Sequence, residues 1–219
     1  MSYRIRLMRK EDVDQVSEID REAFPTQLPP PNYQYELRNR LAHYMVAYQE
    51  EGEIADVPQE PVAPKESNGG ISLWRRLLGG NNSREQVALD YGQQSIVGFV
   101  GLWIIADEAH IISIATREVL RRNGIGELLL IAAIELAAEL KAHAVTLEVR
   151  VSNTDAQHLY TKYGFTQAGV RYGYYVDNRE DGLIMTTERV TSATYKARFQ
   201  RLKRLYARKW GIAPGEIAR

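Results

Sequence analysis

Polar and apolar residues change period several times along the chain, and each change predicts an element. Tyr3-Arg-Ile-Arg-Leu-Met8 alternates as a half-buried strand does. Val13, Val16, Ile19 and Ala23 then recur at helical spacing until Pro25, and Pro29-Pro-Pro31 marks a loop. A short helix around Tyr35 to Leu41 and a strand at Tyr44 to Tyr48 follow. Apolar density returns at Ser95 to Ile105, turns at Ala106 to Glu108 and runs on from Ala109 to Thr116, a hairpin pattern. From about Gly124 to Lys141, Ile125, Leu128, Leu129, Ala132, Leu136 and Leu140 form one broad apolar stripe, with Glu127, Glu135 and Glu139 on the polar side. Val145, Leu147, Val149 and Val151 alternate with Thr146, Glu148, Arg150 and Ser152, so the pleat sends Glu148 and Arg150 away from the aliphatic face. Such a strand–helix–strand unit implies parallel pairing or a parallel splay with a right-handed crossover. Asn153 or Ser152 caps the next helix, which carries Ala156, Leu159, Tyr160 and Tyr163 and ends at Gly164. Two last strands, roughly Phe165 to Tyr175 and Gly182 to Val190, form a hairpin around Asp177 to Asp181.

With 219 residues the chain buries one substantial core and has room for appendages. The pattern divides it into a domain at 1–190, interrupted at about 50–94, and an extension at 191–219. Residues 50–94 are acidic, then punctuated by Pro58, Pro61 and Pro64, then rich in Gly, Ser and Asn. That composition buries too little apolar area to offset its ordering entropy and reads as a flexible insertion. Within it, Ile71, Trp74, Leu77 and Leu78 line one side of a short helix that either docks on the domain or meets a partner or membrane surface. The extension spaces Tyr195, Phe199, Leu202, Tyr206 and Trp210 helically beside Lys196, Arg198, Arg201, Lys203, Arg204, Arg208 and Lys209. This helix docks with its charge toward solvent, or it contacts ribosomal RNA or another polyanion.

Composition narrows the chemistry. No cysteine is present, which excludes a disulfide framework, a thiolate metal site and a cysteine nucleophile. The histidines His43, His110, His143 and His158 lack His-x-x-x-His spacing, so no metal is expected. Lysine plus arginine (28) balances aspartate plus glutamate (28), so whole-chain charge selects no partner. No apolar run approaches the roughly 20 residues of a membrane span, and the start lacks a secretion signal, which gives a soluble, cytoplasmic protein as the expectation. The oligomeric state stays open.

The strand Ile112 to Thr116 leads into the basic, glycine-containing turn Arg121-Arg-Asn-Gly-Ile-Gly126, which opens the long helix. Backbone N–H groups at such a turn build a pyrophosphate site, although glycines there more often serve backbone geometry alone. Further on come Leu147-Glu-Val-Arg150, Asn153, Leu159-Tyr160, Tyr163-Gly-Phe165, Tyr174 to Asp181 and Leu183-Ile-Met185. In this order and spacing the segments resemble the GNAT-type acetyl-CoA-dependent N-acetyltransferases, closest to their ribosomal-protein-alanine N-acetyltransferase (RimI-like) branch. The resemblance is strong over Ser95 to Met185 and weak over Tyr3 to Glu50.

The resemblance implies the GNAT fold: a mixed α/β (α+β) domain with a mostly antiparallel twisted sheet, splayed at the cofactor site, and helices on both faces. It implies acetyl-CoA as cosubstrate, bound by the strand Ile114, Ala115 and Thr116, the turn Arg121, Arg122, Asn123, Gly124, Ile125, Gly126 and Glu127, and Asn153. It makes Glu148 the general base and Tyr160 the acid that protonates the departing thiolate. Tyr174, Tyr175 and Asp181 fall where relatives shape a peptide groove, so the acceptor is a protein N-terminal α-amine, with a ribosomal protein as candidate. Each position also has an ordinary explanation: Glu148 as a strand-face ion pair, Tyr160 as a core aromatic, Tyr174 to Asp181 as strand and turn. Lysine side chains or small amines are the alternative acceptors, and a non-catalytic acyl-CoA-binding module is the alternative of another class. Two departures stand out: Thr116-Arg-Glu118 replaces the usual Val-Asp-Pro, and Gly182 stands where relatives usually have alanine.

Overall fold

A computed structural model describes residues 3–26, 29–49 and 94–211. Apart from Gln94, the expected insertion and its short helix lie outside the described residues. The elements in chain order are β1 (Tyr3–Leu7), α1 (Val13–Ala23), α2 (Tyr33–Glu36), β2 (Ala42–Gln49), β3 (Ser95–Ile105), β4 (Glu108–Thr116), α3 (Ile125–Glu139), β5 (Ala144–Arg150), α4 (Thr154–Lys162), β6 (Phe165–Tyr175), β7 (Glu180–Thr187) and α5 (Ala193–Trp210). Several bounds differ from the pattern-based expectation. The second helix is a single turn ending at Glu36, β7 begins two residues before Gly182, and Val151 lies past the end of β5, 45% exposed.

One sheet holds all seven strands in the order β1-β2-β3-β4-β5-β7-β6. Every pairing is antiparallel except β4 with β5, the pair joined by the α3 crossover. Those two strands pair only from Glu108↔Ala144 to Ile111↔Leu147. The register of β3 on β4 slips between Gly101 and Leu102, which leaves Ile112 as the extra residue of a bulge. A bulge bends its strand and increases local twist. Here it falls where β4 leaves β5, so Ile112 to Thr116 and Glu148 to Arg150 have no strand between them.

Alternation along β2 and β3 fills two cores. Tyr44, Val46, Tyr48, Ile96 and Phe99 face α1 and α2, while Met45, Ala47, Val97, Val100 and Leu102 face α3. The sequence stripe on α3 underestimates its burial. Leu130, Ile131, Ala133, Ile134 and Ala137 are also buried, whereas Leu140 is 40% exposed. The reason is α5, whose Tyr195, Phe199 and Tyr206 join the same core. The polar side of α3 is correspondingly paired: Glu135 binds Lys203 of α5, so Lys203 belongs to the packed face rather than the solvated cationic one. Glu127 takes hydrogen bonds from Lys162 and, at 2.6 Å, from the Tyr163 hydroxyl.

In the smaller core Asp20 is 3% exposed and accepts a 2.7 Å hydrogen bond from Tyr33. Burial raises its carboxyl above the ordinary value, and the Tyr33 bond offsets this only in part. A carboxyl raised in the folded state loses stability as pH climbs from the unfolded value, about 3.9, through the folded one. Above both, the full cost stands. Asp20→Asn keeps an acceptor for Tyr33 and removes the charge, so thermal unfolding at pH 7.5 should shift up, by about 2–4 °C for each kcal/mol of charge burial relieved. The difference should close in melts near pH 3.5.

Candidate functional site

The splay sets the site. Beyond Ile111 and Leu147, β4 still pairs with β3 through Ser113, Ile114, Ala115 and Thr116, but its other edge is open toward β5. The sequence-predicted residues Ile114, Ala115 and Thr116 therefore present main-chain N–H and C=O groups to a cleft, where an extended amide-bearing arm adds as a strand would. Asn153, across the cleft, caps α4 by accepting a 3.2 Å bond from Ala156 N–H.

The turn lies at the head of α3. Arg122 and Gly124 both have positive φ, +67° and +79°, and the Gly124 carbonyl accepts the first helical bond from Leu128. The first-turn amides of Ile125, Gly126 and Glu127 have no acceptor inside the helix and lie at its positive end. A Cβ on Gly126 would meet nothing nearer than Thr116 Cγ2 at 4.0 Å, so that face of the turn is open. The charged side chains of this turn are used differently from its amides: Arg122 pairs with Asp155 at 2.9 Å, Arg121 stands 3.8 Å from Glu118, and Glu127 is held by Lys162 and Tyr163. Asn123 braces the turn from within, donating to the Leu120 carbonyl at 3.1 Å. Where the proline of relatives is missing, Arg117 anchors the loop to α1 through Glu22 (2.9 Å) and Glu18 (3.1 Å) and to the Ile96 carbonyl.

Glu148 stands on the open part of β5, yet only 6% of its side chain is exposed. His110 Nε2 lies 2.9 Å from one carboxylate oxygen and Arg171 Nε donates to the other at 2.9 Å. His110 Nδ1 in turn lies 2.9 Å from Thr146 Oγ1. Thr146 Oγ1 thus braces the ring from one side while Nε2 faces the Glu148 carboxylate on the other. His110 was absent from the sequence-derived set, because only the register His110↔Thr146 shows that it shares a face with Glu148.

Around Glu148 stand the aromatics of β6. Tyr174 and Tyr175 meet edge to face at 5.1 Å, Arg171 lies over Tyr174 at 5.4 Å and Arg150 over Tyr175 at 3.9 Å. Burial, Tyr174 and Glu148 together push the Tyr175 hydroxyl up to about 12, against the pull of Arg150. Tyr160 is buried, its ring tilted against Phe165 at 5.7 Å. Burial, and secondarily Tyr175, raise its hydroxyl above the ordinary phenol value. Gly182 gains a specific reason: its missing Cβ would meet Tyr174 at 3.0–3.3 Å, so the glycine lets Tyr174 lie close over the sheet. Asp181 acts on shape, accepting a 2.7 Å bond from Gly173 N–H where β6 bulges out of register with β7.

Two further acids of this rim share one arginine. Arg150 bridges Asp177 (2.9 Å) and Glu180 (3.1 Å), and Asp177 also accepts from Thr26 after α1, tying the β6–β7 turn to the α1–α2 loop. Hydrogen bonds from Ser152, with Arg150 and Asn178, hold Glu180 down at about 2, and Arg150 first holds Asp177 low as well. A depressed carboxylate contributes stability above the unfolded value, about 4.3 for Glu, that is lost as pH falls toward the folded one. This rim should therefore stay paired throughout pH 5–9. Tyr175 fluorescence or amide-exchange protection in the turn should change only below about pH 4.5.

Diverging strand edges offer main-chain groups to an extended arm, and the helix N-terminus beneath them offers amides to an anion. Comparison with known proteins agrees. The sequence profile of the acetyltransferase (GNAT) family matches residues 55–165. A Bacillus subtilis (strain 168) protein, named provisionally as a ribosomal protein bS18-alanine N-acetyltransferase, is 34% identical over 182 residues, 83% of this chain and 92% of its own length. An N-alpha-acetyltransferase of Sulfurisphaera tokodaii is 34% identical over 184 residues, 84% of this chain and 91% of its own. The crystal structure of the Escherichia coli ribosomal-protein-S18-alanine N-acetyltransferase superposes with a TM-score of 0.58 at 20% identity, covering 85% of this chain and 94% of that one, and so shares the fold. The chain belongs to the GNAT family and is an acetyl-CoA-dependent N-acetyltransferase.

Proposed function

We propose that this enzyme moves acetyl directly from acetyl-CoA to a protein N-terminal α-amine in the cytoplasm, with Glu148 and Tyr160 in the chemical roles. The observation that carries the acceptor class is the lip beside Glu148: Tyr174 and Tyr175 meet edge to face at 5.1 Å, with Arg171 and Arg150 over their rings. A tyrosine lip braced by two arginines suits a peptide, whereas a polycationic small amine would meet those arginines. The names of the relatives, protein-alanine and N-alpha-acetyltransferases, support the same reading and make a ribosomal protein the first acceptor to try.

In this reading Ile114 to Thr116 and Asn153 hold the pantetheine arm, and the amides of Gly124 to Glu127 hold the pyrophosphate. Thioester carbonyl polarisation falls to backbone amides of the β4 edge. Glu148 takes the amine proton through a water and later releases it to solvent, while His110 and Arg171 hold its two oxygens. An α-amine near about 7.7–8.0 needs little help, which suits a carboxylate of modest basicity. The departing thiolate takes its proton from Tyr160, which burial keeps protonated throughout the neutral range.

The test is kinetic. Measured kcat/KM for a peptide with a free α-amine should rise with pH and level off near about 8, whereas a lysine acceptor would keep rising toward about 10. Spermidine or blocked peptides outperforming free N-termini would overturn the acceptor class. Binding of CoA without turnover on any amine would favour the non-catalytic module. The outer face of α5 adds a polyanion contact to the proposal, since Arg201, Arg204 and Arg208 are exposed and have no ion pair among the described residues. Charge reversal of all three should abolish salt-sensitive binding to structured RNA and leave peptide acetylation intact.

A further inference from the structure

We infer that the C-terminal helix sets cofactor affinity: Trp210 and Tyr206 are positioning residues that hold the pyrophosphate turn in its ligand-ready shape. The inference rests on reading Arg121 to Glu127 as the cofactor turn.

The turn needs an outside support. Arg122 is a non-glycine residue in the left-handed region, which costs on the order of 1 kcal/mol, and Gly124 repeats that conformation two residues later. Local bonds from Asn123 do not reach Gly124. What does reach it is α5. The Trp210 indole occupies the space a Gly124 Cβ would need, with ring atoms 2.4–2.8 Å from that position, and the Tyr206 hydroxyl donates to the Gly124 carbonyl at 3.3 Å. The two rings sit 6.4 Å apart at 41°, and Lys209 caps the indole at 4.9 Å.

The Trp210 Nε1 is buried without a hydrogen-bond partner among the described residues. A tryptophan kept there despite an unmet donor acts through the shape of its ring rather than through its N–H. That ring blocks one side of Gly124, while the Gly126 side stays open for a ligand. With the turn fixed, its amides bind phosphate without first being ordered, and preorganisation of this kind appears as affinity. Tyr206 and Trp210 also pack into the main core, but among the described residues their bonds and ring contacts do not involve Glu148 or the β6 lip.

The experiment compares wild type with Trp210→Ala, Trp210→Phe and Gly126→Leu by calorimetric titration with CoA, steady-state kinetics and thermal melts. Trp210→Ala should raise the CoA Kd and the acetyl-CoA KM about tenfold, with kcat and peptide KM within about twofold. Trp210→Phe keeps a ring in place and should stay within about threefold of wild type on every parameter. Gly126→Leu should abolish CoA binding. If Gly126→Leu binds CoA normally, the turn is not the cofactor site and the reading beneath the inference falls. If Gly126→Leu fails to bind while Trp210→Ala binds as wild type does, the support role alone is overturned. Equal losses of kcat and affinity in Trp210→Ala, or equal affinity losses in the Ala and Phe variants, would also contradict it.

Discussion

Glu148→Gln should lower kcat/KM for a peptide α-amine by about 10²–10³-fold while leaving CoA binding within about twofold, the size expected when a positioned base is removed. Glutamine keeps the volume and one acceptor oxygen for Arg171, so the loss measures chiefly the carboxylate's charge rather than its packing. The residual rate should depend steeply on pH, because the amine must then lose its proton to solvent before attack. His110→Gln should cost less than Glu148→Gln, since His110 touches the carboxylate and not the cleft directly. The two together should cost little more than Glu148→Gln alone, as expected for residues that act as one unit. Loss of less than about threefold in Glu148→Gln would remove Glu148 from the chemistry.

Tyr160→Phe should reduce kcat by about 10²-fold, the lower end of what general acids contribute. The structure gives this variant a clean control. The Tyr160 hydroxyl has no hydrogen-bond partner among the described residues, so deleting it removes no internal bond and thermal stability should hold. An ordinary core aromatic would lose neither activity nor stability on this change. Because burial raises the hydroxyl above its usual value, the wild-type kcat profile should show no alkaline limb from Tyr160 below about pH 10. A drop in kcat without a drop in melting temperature assigns the hydroxyl to the reaction; an unchanged kcat assigns it to packing.

Most of the fold was legible in periodicity, for physical reasons that also explain the rest. Strict alternation in β5 placed Val145, Leu147 and Val149 in the core and sent Glu148 and Arg150 to the other face. Helical spacing found α1, α3 and α5 to within a few residues. What periodicity cannot supply is register. His110 and Glu148 share a face only once β4 and β5 are paired in parallel, and Arg171 reaches Glu148 only because β7 carries β6 alongside β5. The sequence therefore offered Glu148 without the two residues that fix its oxygens. Nor does one helix's pattern reveal its second cover: α3 read as a single stripe because α5, nearly 60 residues downstream, closes its other side. Glu135 and Lys203 read as polar-face residues for the same reason, and Glu127 because its partners Lys162 and Tyr163 come from α4 and the residue after it. The positive φ values at Arg122 and Gly124 were half-visible, since a glycine announces the second and nothing announces the first.

The site of acetylation on one acceptor tests the central claim most directly. A peptide carrying both a free α-amine and an internal lysine, incubated with acetyl-CoA and read by fragment mass spectrometry, should carry its single acetyl group on the N-terminal residue. Acetyl on the lysine, with the α-amine untouched, would contradict the account.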